Sequence, residues 1–97
     1  MDNKELVIRL IREELRNKRL MFSLEDLGFD CTVYTLNVSP IILDLMGFKH
    51  IPDELSEKYC TLIENALAET TFWNLEAMLD KWPKNIYMEL LKIKSPD

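Results

Sequence analysis

The chain has 97 residues, of which 47% are hydrophobic and 30% charged, with two glycines and a formal net charge of −5. That length holds one modest core rather than two, the composition is that of a folded chain, and two glycines are too few for the tight turns of a β-sandwich or barrel. The charge is uneven: residues 1–19 carry six basic against four acidic side chains, residues 20–97 six against thirteen, so most of the domain is expected to repel a phosphate backbone and a nucleic-acid partner is disfavoured.

The first predicted element runs from Lys4 to Lys18. Leu6, Val7, Leu10, Ile11 and Leu15 share one helical stripe, and Asp2 or Asn3 can cap its start. The pairs Glu5/Arg9, Arg9/Glu13 and Glu14/Lys18 are spaced to meet on a solvated face at ~0.2–0.5 kcal/mol each. Arg9, Arg12, Arg16 and Arg19 form the alternative, a basic stripe that receives an acidic partner.

Two short helices are predicted next, written in the same grammar. Ser23-Leu24-Glu25-Asp26-Leu27-Gly28-Phe29 begins with a capping residue and ends in Gly-Phe. Ser39-Pro40-Ile41-Ile42-Leu43-Asp44-Leu45-Met46-Gly47-Phe48 does the same, with Pro at the first helical position. In each the glycine is expected at the left-handed C′ position, with the phenylalanine folding back onto the last turn. Between them, residues 29–38 are β-branched and aromatic. With no second strand to pair with, they are expected as an irregular, extended or partly helical segment.

Residues 53–69 give the clearest helix. Asp53 is placed to cap it, and Leu55, Tyr59, Leu62, Ile63, Ala66 and Leu67 form its core-facing stripe. A further helix is predicted from Thr71 to Lys81, with Pro83 ending it at Trp82, and a last one from Lys84 to Lys94 with Ile86, Leu90 and Ile93 on one stripe. The expectation is therefore all-α: one domain over residues 1–97, a compact bundle of about five or six helices, two of them short.

No apolar h-region follows Met1-Asp2-Asn3-Lys4-Glu5, and no apolar run approaches the ~18 residues that span a bilayer. A soluble, cytoplasmic protein without a membrane partner is expected. In that reducing compartment Cys31 and Cys60 are expected to be buried thiols.

The inventory for catalysis is thin. His50 is the single histidine, and no motif ties it to a nucleophile. Cys31, His50 and Cys60 lack the paired spacing of a zinc site. The acid pairs Glu13/Glu14, Glu25/Asp26 and Asp53/Glu54 are adjacent in sequence, so their side chains diverge on a helix. No phosphate-cradling glycine loop is present. No catalytic, cofactor or metal residues are predicted, and a non-enzymatic adaptor or protein-interaction module is expected.

The segment Glu25-Asp26-Leu27-Gly28-Phe29-Asp30-Cys31 is similar to the region around the modified serine of acyl carrier proteins. Ile51-Pro52-Asp53-Glu54-Leu55-Ser56-Glu57-Lys58 resembles the start of that family's third helix. The two pieces together hold 15 of the 97 residues. Where the family attaches phosphopantetheine to a serine, this chain has Asp30-Cys31-Thr32. The resemblance thus implies, as the alternative, a diverged carrier-like domain that lacks the prosthetic-group serine.

The feature that folding alone explains least is the C-terminal concentration of Phe72, Trp73, Trp82, Tyr87 and Met88. Such side chains bury much area at little rotamer cost and are enriched at interfaces. They are the candidate partner-binding surface, for an unknown protein partner or a second copy of the chain.

Overall fold

The structure, a computed structural model, describes residues 3–30, 39–71 and 73–94. Four helices follow in chain order: α1 (Asn3–Asp26), α2 (Ser39–Leu45), α3 (Asp53–Glu69) and α4 (Leu75–Lys94). No strand occurs among the described residues. Among the described residues the all-α expectation holds, but the count there is four rather than five or six, because two pairs of expected helices are each continuous. Of the segment 29–38, Phe29 and Asp30 are exposed and non-helical; residues 31–38, Cys31 among them, lie outside the described residues.

The first fusion is in α1. Ser23 was expected to start a new helix, but its hydroxyl donates to the Arg19 carbonyl one turn back (3.1 Å). A serine bonded in that way sits inside a helix rather than capping one. The second is in α4, where Pro83 lies in the helix interior and is fully buried. An interior proline removes one backbone bond and costs ~3 kcal/mol or more. Here the ring is core material, in phase with Leu79, Ile86 and Leu90, all buried on the same stripe. Packing along that stripe overrides the local penalty.

The helix ends follow their capping signals closely. At the end of α1, Gly28 N–H donates to Glu25 O (2.9 Å) and Phe29 N–H to Leu24 O (3.0 Å). After α2, Gly47 N–H donates to Asp44 O (2.9 Å) and Phe48 N–H to Leu43 O (3.2 Å). Both are Schellman motifs, with Gly28 at φ 97° and Gly47 at φ 92°. The fold-back of the phenylalanine occurs in one copy only: Phe48 packs against the core, whereas Phe29 remains 62% exposed. Asp53 does not cap α3. Pro52 holds the N-cap position without a side-chain bond, and Asp53 and Glu54 instead place negative charge at the positive end of the helix dipole. Before α4, Thr71 and Asn74 exchange side chain–backbone bonds in the manner of a capping box.

The two glycines give a paired prediction. Among the described residues a Cβ at Gly28 meets nothing within 4 Å, whereas one at Gly47 lands 2.6 Å from Lys94 Nζ. That ammonium donates to the Met46 carbonyl (2.6 Å). Gly28→Ala should cost only the left-handed strain, ~1 kcal/mol. Gly47→Ala should cost ~2 kcal/mol, because Lys94 must also release its carbonyl. Urea titration of both, repeated in a Lys94→Met background, should show the difference between them vanish.

The four helices enclose one core. α1 packs against the other three helices, and α3 against α2 and α4. Val7, Ile11 and Leu15 of α1 meet Ile42 and Leu43 of α2, Tyr59 and Ile63 of α3, and Leu79, Ile86 and Leu90 of α4 in a single buried cluster. Full burial of each such side chain contributes ~1.5–3 kcal/mol. Two arginines of the basic stripe of α1 find acidic partners within the chain: Arg12 lies 3.8 Å from Asp80 and Arg16 3.5 Å from Glu76, both on α4. Glu13 pairs with Arg16 (3.7 Å) rather than with Arg9.

One acid belongs to the core. Glu14 is 5% exposed, accepts from the Tyr59 hydroxyl of α3, and lies 3.1 Å from Lys18 Nζ. Burial, and then the negative charge of Glu14, push the Tyr59 hydroxyl well above its ordinary pKa. The carboxylate and phenol satisfy each other between two helices, while Lys18, 26% exposed, keeps access to water.

Candidate functional site

α3 and α4 run antiparallel, joined by the short connection at 70–74. Their facing stripes do not close completely along the outer seam. Near the connection, Leu62, Asn65 and Ala68 of α3 and Trp82, Ile86 and Met88 of α4 line a depression of about 700 Å³. Towards the other end, Glu57, Lys58 and Thr61 face Glu89 and Ile93 across a second depression of about 520 Å³. Leu62 and Glu89 border both, so the two form one groove. From Glu54 to Glu69 it follows α3 for ~22 Å.

The groove exists because each helix carries a stripe too broad to be buried on one side. On α3, Tyr59, Ile63 and Ala66 enter the core, leaving Leu62 half-buried at the seam. On α4, Ile86 and Leu90 enter the core while Trp82 and Ile93 stay half-buried. Met88 is 52% exposed. The Trp82 indole N–H is buried with no acceptor among the described residues.

The rim is acidic. Glu54, Glu57, Glu69 and Glu89 border the groove against Lys58 and Lys92. Lys92 is occupied by Glu89 (3.1 Å). Asp53 and Glu64 continue the negative charge over the outer face of α3.

Of the five residues expected to form a partner surface, the groove gathers two, Trp82 and Met88. Tyr87 packs on the core and carries Lys4 of α1 over its ring, 5.9 Å from the centroid. Trp73, 91% exposed, precedes α4; Phe72 lies outside the described residues. The aromatic cluster is therefore dispersed, as side chains one residue apart on a helix diverge by about 100°. Leu62, expected in the core-facing stripe, is half-buried at the seam, and nothing in the sequence singles out Glu89. The available signal was the width of the α3 stripe, in which Leu62 and Ile63 are adjacent and cannot both face α1.

Cys60 is an exposed free thiol on α3, not the buried one expected. Its burial was inferred from compartment and residue type, whereas its phase on α3, one residue past Tyr59, turns it outward. It lines a smaller hollow of about 220 Å³ with Met21, Phe22 and Ile63. His50 is exposed in the connection before α3. Among the described residues, no three His, Cys, Asp or Glu side chains are gathered as a metal site, and no helix is long and apolar enough to cross a membrane. No protein-family model, curated protein or solved structure matches the chain.

Proposed function

We propose that this chain is a non-catalytic interaction or adaptor module that takes up a protein partner along the α3–α4 seam. The observation that carries the reading is the open apolar floor of that seam, where Met88 stands half out of the fold beside Trp82 and Leu62. Tryptophan is among the side chains that dominate interface energetics, and methionine is enriched at interfaces and adapts its shape to what covers it. The acidic rim supplies the polar border that such interfaces carry around an apolar centre.

Because Met88 is exposed and outside the core cluster, Met88→Glu should leave thermal stability within about 0.5 kcal/mol of the parent. The same substitution should abolish capture of the partner from extracts of the source organism. Equal capture by both proteins removes the seam from the interface. The carrier-like alternative has its own readout in the intact mass of protein purified from its native host: an unmodified mass accords with the interaction reading, and a phosphopantetheine adduct replaces it.

A further inference from the structure

We propose that the occupant of the α3–α4 groove is a basic amphipathic helix of a partner protein; this rests on the reading of the seam as a protein-binding surface. Stripes of two helices form the walls of the groove, and its ~22 Å along α3 matches about 15 residues of helix. Its floor alternates Leu62, Ile86 and Ile93 with the larger Trp82 and Met88, which suits apolar anchors recurring at i, i+3/i+4 and i+7. Charge selects the sign of the flanks. With Lys92 bridged to Glu89, Glu54, Glu57 and Glu69 face the groove against Lys58 alone among its described bordering residues. Asp53 and Glu64 lie just outside. An acidic helix, a nucleic acid or an anionic lipid surface is repelled there, while Lys or Arg flanking an apolar stripe meets a carboxylate on the α3 side. Electrostatic complementarity of this kind acts chiefly on the association rate and on partner choice.

The test uses the full chain and two synthetic helix-forming peptides of about 15 residues, with the same Leu stripe and either Lys or Glu on the other face. Stopped-flow tryptophan fluorescence reads association, and amide chemical shifts locate the contact. The Lys peptide should bind with shifts confined to the seam, its rate falling as salt rises, and the Glu peptide should bind at least about tenfold more slowly. Glu54→Lys with Glu57→Lys should lower the rate of the Lys peptide about tenfold, whereas Asp26→Lys with Asp44→Lys, an equal change in net charge elsewhere, should alter it little. Absence of binding, equal binding of the Glu peptide, or equal sensitivity to the two charge reversals overturns the proposal. Binding of both peptides in the seam with no charge preference overturns the basic partner and leaves the seam as an interface. A concentration-dependent dimer in sedimentation that Met88→Glu abolishes overturns it in favour of a second copy.

Discussion

Tyr59→Ala should lower the free energy of unfolding by about 4–5 kcal/mol, close to the whole stability of a chain this size. Two losses add. The ring is fully buried in the core cluster, so truncation leaves a cavity that the neighbouring helices fill only in part. Its hydroxyl also donates to Glu14, and without it a buried carboxylate keeps only Lys18. The conservative substitution separates the terms: Tyr59→Phe preserves the packing and should cost about 2 kcal/mol, as expected for a hydrogen bond to a charged group. Adding Glu14→Leu to Tyr59→Phe should recover most of that loss, because an apolar pair of similar volume needs no compensation and Lys18 can turn to water. Urea-induced unfolding of the four proteins checks the set. A Tyr59→Phe variant as stable as the parent would show that the pair contributes nothing.

The second large effect is alkaline. The Tyr59 hydroxyl titrates above its ordinary value of 10, first because burial disfavours the phenolate and then because Glu14 is negative. Unfolded, the same side chain loses its proton near its ordinary value. Above that pH the folded state holds more protons than the unfolded state, and stability falls as pH rises, by up to ~1.4 kcal/mol per unit. Below it, the stabilisation is complete. The difference in stability between parent and Tyr59→Phe should therefore be flat from neutral pH to pH 10 and should then decline, with titrations common to both proteins cancelling. A difference that stays constant to pH 11.5 would remove the claim that the buried phenol is held neutral.

Much of the architecture was legible because its signals are local. The stripe of Leu55, Tyr59, Ile63, Ala66 and Leu67 is buried as the spacing predicts, and both Gly-Phe pairs close Schellman motifs. What local signals could not decide was whether a boundary residue acts as one. Ser23 satisfies the same pattern as Ser39, yet only Ser39 begins a helix. Pro83 is a breaker in isolation, but the apolar phase continues unbroken through Leu79, Pro83, Ile86 and Leu90. Reading phase ahead of punctuation would have joined the two halves of α4. Contacts distant in sequence were beyond reach. Glu14 looked like one half of a surface pair with Lys18, and only the arrival of Tyr59, 45 residues later, buries it. The groove was hidden for the same reason: its floor is the part of two stripes left over once each helix has taken its place against α1.

Asn3 and Lys94 both end on α2. Asn3 Nδ2 donates to Leu45 O (3.2 Å) and Lys94 Nζ to Met46 O, so consecutive carbonyls at one pole are held from the beginning of α1 and the end of α4. A seven-residue helix is too short to persist unaided in water. The two side chains tie the beginning of α1 and the end of α4 to the same end of α2, so fraying of either outer helix takes a donor from a carbonyl at that pole.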